Sequence, residues 1–222
     1  CARLYADALA ALAVIQTCPT GELPPYDRAL LLREMELFRE WLVGRHLGIS
    51  LGKAQNGMLD DAFELLVDNA LAQPKVCVHR DYHSRNLMVT PRNNPGILDF
   101  QDAVLGPVTY DLVSLLRDCY IAWPRERVED WALGYRQLAL QSGILREEHE
   151  DPELFLRWFD QMRVQRHLKA AGIFAPLNHR DGKPGYLADI PRTLSYITVL
   201  AERHTDLAPL CAFIENEVLA SM

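Results

Sequence analysis

A run of polar residues, His79-Arg80-Asp81-Tyr82-His83-Ser84-Arg85-Asn86, stands between two short apolar runs in a chain whose remaining periodicity is helical. Val76-Cys77-Val78 precedes it, Leu87-Met88-Val89 follows, and Ile97-Leu98 comes after the turn Pro91 to Gly96. These are β-prone segments separated by polar loops. On either side the apolar spacing is that of helices. Leu4, Ala8, Leu9, Leu12 and Ile15 predict an opening helix to about Gln16, stopped at Cys18-Pro19. Asp27 is placed to cap a helix with the face Leu31, Met35, Phe38 and Leu42, ending near Gly44 to Gly48. A third stretch, Met58 to Ala72, opens at Asp60-Asp61, where carboxylates suit a helix N-terminus, and Pro74 closes it. After Gly106-Pro107 the pattern predicts helices over roughly 108–122, 126–142, 152–171, 191–204 and 207–220, with breaks at Pro124, Gly143, Pro176 and Pro209. The predicted fold class is therefore α+β, mostly α, with a small central β element that gathers the polar residues.

The 23 Lys and Arg stand against 30 Asp and Glu, a formal charge of −7, which argues against a general binder of nucleic acid or anionic membrane. No apolar run approaches the roughly 20 residues of a membrane span, and these residues hold no n-region, h-region and cleavage site that would support an expectation of secretion. The 222 residues suffice for one sizeable core, since a chain of this length buries roughly 70% of its unfolded surface. Cys1, Cys18, Cys77, Cys119 and Cys211 are scattered and odd in number, without a C-x-x-C pair, so a cytoplasmic protein is expected. The chain starts with Cys1, already inside a helical pattern, which reads as a piece of a longer protein.

Asp81 and Asn86 lie five apart on one loop, and Asp99, thirteen beyond Asn86, ends the next strand. If that strand pairs with the preceding one, the Asp99 carboxylate arrives beside Asn86. Few, hard oxygen ligands are what Mg²⁺ takes when nucleotide phosphates and water complete its octahedron. A carboxylate not committed to metal can accept the proton of an attacking hydroxyl, and phosphoryl transfer needs little more than alignment and positive charge. Another arrangement of the same segment, His79, Asp81, His83 and Asp99, would suit a metal-dependent hydrolase.

His79-Arg80-Asp81 with Asn86, followed by Asp99-Phe100, resembles the catalytic loop and metal-binding motif of the protein-kinase-like superfamily. Gly106-Pro107-Val108-Thr109-Tyr110-Asp111-Leu112 resembles its aminoglycoside phosphotransferase branch. Only twelve positions separate Asp99 from Asp111 and no Ala-Pro-Glu follows, leaving no room for a protein-kinase activation loop, so a small-molecule acceptor is expected. Pro24 to Leu30 and Arg180 to Asp189 look like the corresponding stretches of bacterial anomeric N-acetylmuramate/N-acetylglucosamine kinases, which use ATP on the C1 hydroxyl of amino sugars.

The resemblance implies Asp81 as catalytic base, Asn86 and Asp99 as Mg²⁺ ligands, Met88 beneath the adenine of ATP, and His83 or Arg85 as positive charge on the transferring phosphate. Asp111 and His79 would be structural, Asp111 hydrogen-bonding the catalytic loop from the start of its helix. Asp102, Arg180 and Asp181 are candidate contacts to the sugar. The family's N-terminal lobe, with its phosphate-covering loop, strand lysine and adenine hinge, has no counterpart. Lys53, Lys75, Lys169 and Lys183 do not sit in a Val-Ala-x-Lys strand. The whole of 1–222 thus reads as the C-terminal lobe, whose partner would be that missing lobe and which would be inactive alone. Other acceptors open to the same machinery are aminoglycosides and choline-type alcohols; a non-catalytic kinase-lobe scaffold is the reading of another class. Trp41, Trp123, Trp131, Trp158 and Phe159 are expected in or near the core, and Cys77 as an inert buried thiol.

Overall fold

The computed structural model describes residues 2–180, 182 and 184–222. The chain divides into two compact units, one of Cys1–Asp27 with Ala70–Met162, the other of Arg28–Asn69 with Arg163–Met222.

In the first unit α1 (Ala2–Gln16) buries Ala8, Leu9 and Leu12 of the predicted face together with Tyr5 and Ala13, whereas Leu4 is exposed and Ile15 half-buried. Two small antiparallel sheets follow. β1 (Lys75–Val78) pairs along its length with a later strand, β4 (Val104–Pro107), from Lys75 opposite Pro107 to Val78 opposite Val104. Between them, β2 (Leu87–Met88) and β3 (Gly96–Ile97) form a hairpin with Leu87 opposite Ile97. β4 was not predicted as a strand, because Gly106-Pro107 reads as a turn. Its proline occupies the last pair, where a missing N–H is tolerated. Gly106 is required by space: a Cβ there would stand 3.1 Å from the Tyr26 side chain and 3.2 Å from that of Val78. The segment Pro24–Tyr26 lies along the free edge of β4, with Tyr26 N–H donating to the Leu105 carbonyl at 2.8 Å.

α4 (Tyr110–Leu116) is shorter than the predicted 108–122 and wholly buried, and α5 (Arg125–Gln141) matches its predicted span closely. The aromatic expectation holds in this unit. Tyr5 stacks on Trp131 at 4.4 Å and accepts a hydrogen bond from Trp123 Nε1 at 2.7 Å, while Trp158 and Phe159 are buried.

The second unit is helical. α2 (Arg28–Leu37) begins directly after Asp27 and continues as a π-helical stretch, Phe38–His46. α3 (Lys53–Ala72) starts five residues before the predicted Met58. Gln55 accepts the Gly52 N–H at its entrance, whereas Asp60 sits mid-helix and pairs with Arg39 at 2.5 Å. α6 (Pro152–His179) runs through Pro176, where a break was expected. A proline inside a helix costs about 3 kcal/mol; here Pro176 is buried beside Phe174 and Ala175, and packing offsets the cost. A Cβ on Gly172 of the same helix would lie 2.5 Å from the Leu37 and Phe38 backbone, so only glycine allows that approach. α7 (Ile190–Thr198) ends earlier than predicted, and α8 (Ala208–Phe213) passes into a π-helical turn, Ile214–Val218, and a 3₁₀ turn, Leu219–Ser221. Among the described residues no helix is long and apolar enough to cross a membrane.

Candidate active site

Asp81 sits in the loop after β1, half-buried, and the backbone around it is bound from below by a single carboxylate. Asp111, fully buried in the first turn of α4, accepts the His79 N–H at 2.6 Å through Oδ2 and the Arg80 N–H at 3.0 Å through Oδ1. Arg80 holds a left-handed φ of 75°, a conformation that costs a residue with a side chain roughly 1–2 kcal/mol. The two charge-assisted bonds from Asp111 hold it there. The start of α4 is itself fixed by Thr109, the residue just before it, which donates to Gln73 Oε1 through both its N–H and its hydroxyl. Tyr82 anchors the other side, its ring fully buried and its hydroxyl donating to the Ala8 carbonyl at 2.8 Å.

Asn86 closes the loop. Its Nδ2 donates to the Asp81 carbonyl at 3.0 Å, which leaves the amide oxygen as its remaining donor atom for a ligand. The β2–β3 ladder extends by one further bond, Leu98 N–H to the Asn86 carbonyl at 3.0 Å, so the chain beyond β3 returns alongside Asn86. Asp99 follows, not at the end of the strand as predicted but two residues past Ile97, exposed and turned by a left-handed φ of 67°. Gln101 Nε2 donates to its Oδ1 at 2.5 Å.

His79 is buried at the start of this loop. Burial lowers its pKa below the ordinary 6.5, and the charge of Asp81, the Leu98 backbone and the charge of Asp99 oppose that in turn. Its Nδ1 accepts the Asp81 N–H at 3.3 Å, so the ring braces the loop. Among the described residues no three His, Cys, Asp or Glu side chains gather as a metal site. His79, Asp81, His83 and Asp99 therefore do not form the ligand set that the hydrolase reading requires. Two oxygen donors, the amide of Asn86 and the carboxylate of Asp99, do suit an ion that draws its other ligands from phosphate and water.

His83 meets the Tyr120 ring edge-on at 5.5 Å, and the Arg85 guanidinium lies 3.5 Å above the same ring. Met88 is 52% exposed on β2 and helps to line an apolar cavity of about 230 Å³, together with Leu4, Tyr5, Leu87, Ile121 and Trp123. Asp102 is exposed in the turn after Asp99. Arg180 belongs to the second unit, exposed just beyond α6, and Asp181 lies outside the described residues. Cys77 is half-buried rather than buried; burial pushes its thiol pKa up, and the charge of Asp111 adds to that.

Two residues of this site carry no sequence signal of their own. Asp118, 1% exposed beyond α4, accepts the Ser84 N–H at 2.9 Å and the Tyr120 N–H at 2.8 Å. Tyr120 then supplies the ring against which His83 and Arg85 rest.

The phosphotransferase enzyme family matches residues 1–154. An N-acetylmuramate/N-acetylglucosamine kinase of Pseudomonas putida is 54% identical over 209 residues, 93% of this chain and 60% of the relative. One from Pseudomonas aeruginosa is 47% identical over 222 residues, 99% of this chain and 63% of the relative. Among solved structures, a Plasmodium vivax ethanolamine kinase superposes with a TM-score of 0.62 at 13% identity, covering 91% of this chain and 61% of its own, a likeness of fold. The chain thus spans about three-fifths of the length of the relatives it matches.

Proposed function

Because this chain belongs to the phosphotransferase enzyme family, we propose that it is the catalytic portion of a kinase that moves the γ-phosphate of ATP to the anomeric C1 hydroxyl of N-acetylmuramate and N-acetylglucosamine. The observation that carries this reading is the high identity to two kinases of that name over nearly the whole chain. The loop geometry supports the reaction type independently.

In this reading Asp81 accepts the proton of the C1 hydroxyl as its oxygen attacks the γ-phosphorus and the bond to ADP breaks. Asn86 and Asp99 would hold Mg²⁺, which when bound neutralises phosphate charge. Asp111 and His79 keep the Asp81 backbone in place, so the base is positioned before substrate arrives. His83 and Arg85 supply positive charge toward the transferring phosphate, and Met88 offers its exposed apolar surface to adenine. Asp102, Arg180 and Asp181 are the proposed contacts to the sugar. The phosphate-covering loop and strand lysine are assigned to an N-terminal lobe, in keeping with the share of the relatives' length that this chain spans. Use of ATP points to the cytoplasm, where Cys18, Cys77, Cys119 and Cys211 would remain the free thiols they are.

The test is ³¹P NMR of the full-length gene product with ATP, Mg²⁺ and either amino sugar. A sugar 1-phosphate resonance is expected. ATP that stays intact with both sugars would overturn the acceptor assignment.

A further inference from the structure

The loop 81–86 is tied not only to α4 but to the short segment after it. Asp118 takes one amide from each side, Ser84 N–H at 2.9 Å and Tyr120 N–H at 2.8 Å, and is buried to 1% exposure while doing so. A carboxylate accepting two backbone N–H groups sets the spacing of both strands of chain. Tyr120 emerges from that tie with its ring between two cationic or potentially cationic side chains of the loop. The Arg85 guanidinium carbon lies over it at 3.5 Å from the ring centroid, and the His83 ring meets it edge-on at 5.5 Å and 79°.

Stacking of this kind engages the face of a guanidinium and leaves its N–H edge directed outward in the ring plane, the geometry that grips phosphate. An exposed arginine on its own would lose rotamer freedom on binding; a ring beneath it settles part of that beforehand.

We propose that Tyr120, set by Asp118, is the positioning residue that aims Arg85 and His83 at the phosphates of the nucleotide. The inference rests on the kinase reading for what those side chains meet. Tyr120 acts through them and does not touch the reacting atoms.

The experiment uses the full-length gene product, with ATP and acceptor kinetics, ADP affinity by calorimetry and thermal melting for Tyr120→Leu, Tyr120→Phe, Arg85→Ala and the pair Arg85→Ala/Tyr120→Leu. Tyr120→Leu is expected to lower kcat/KM for ATP roughly tenfold with the acceptor KM and melting temperature unmoved. Tyr120→Phe keeps the ring and should restore most of that loss. In the Arg85→Ala background the Tyr120→Leu penalty should shrink, the signature of two side chains acting as one.

Unchanged ATP parameters in Tyr120→Leu, or a penalty of full size when Arg85 is already gone, would overturn the proposal. If Tyr120→Leu melts early, Tyr120→His, which retains a flat ring, takes its place under the same criteria. A wild-type protein that phosphorylates neither sugar would refute the acceptor reading alone, because ADP affinity still compares wild type with the Tyr120 variants.

Discussion

Around the loop 79–86 polar side chains hold backbone from far along the chain, whereas the second unit buries a row of polar side chains on one helix and a single ion pair beside them. Asp111 and Asp118 each accept two amides and Asn86 donates to a carbonyl, so three side chains fix the path of eight residues while Asp81 stays half-buried and Asp99 exposed. Along α6 the residues Arg163, Gln165, Arg166 and His167 are buried, and Lys169 meets the buried Glu34 of α2 at 3.2 Å. Gln55 and Glu217, and Arg28 with Asp68, add pairs at the surface of that unit. A substitution is therefore felt differently in the two. Polar groups that shape a loop leave the chemistry-bearing atoms open, and their neighbours govern rate. Polar groups within a core complete its internal solvation, and losing one of a pair leaves a buried charge short of a partner.

The largest effect is expected for Asp81→Asn. In the full-length protein kcat should fall about 10²- to 10⁴-fold, while ADP affinity persists and melting moves by less than about 2 °C. Turnover close to wild type would remove Asp81 as the base.

Lys169→Met tests the opposite side. Each side chain of the pair is nearly sequestered, 12% exposed for Lys169 and 7% for Glu34. Removing one partner should cost about 3 kcal/mol, seen as a melting point lowered by roughly 6–12 °C in a chain this long. Activity per folded molecule should hold. Adding Glu34→Leu should return much of the loss, since an apolar pair can replace a buried ionic one. A melting point unaffected by Lys169→Met would show that the pair contributes nothing.

The smallest effect concerns His79, where the two regimes meet, a buried ring that braces the active loop. Its pKa is lowered in the fold, chiefly by burial. Below 6.5 the unfolded chain takes up a proton that the folded ring refuses, so stability from this group is complete above 6.5 and is lost as pH falls toward the lowered folded value. Melting measured against pH should therefore decline less steeply on the acid side in His79→Gln than in wild type. Parallel curves would mean that the ring titrates alike in both states.

Much of the loop could be read from its letters because the relations that build it are short in sequence. Asp81 to Asn86 spans five positions and Asn86 to Asp99 thirteen, and a two-stranded hairpin between the last two needs only apolar runs and a turn. Much of the apolar face of α1 was equally plain from its spacing. What escaped reading depends on distant partners. β4 looks like a turn until β1, some thirty residues earlier, offers its edge. Pro176 reads as a break until the burial around Gly172 and Phe174 is known. Asp118 finds Ser84 across 34 positions and Tyr120 across two, and nothing in its neighbours announces the bridge.

Short spacings along the chain set out two carboxylates, an amide and their strands, and with them the chemistry on offer. Which carboxylate holds which amide, the left-handed backbone of Arg80 and Asp99 and the place of Tyr120 beneath Arg85 all come from long-range packing. Hydrogen bonds and close packing act over a few ångströms of space and are indifferent to separation along the chain. Local spacing can fix a turn or a helix face, but a partner thirty residues away is chosen by whatever fold satisfies every buried group at once.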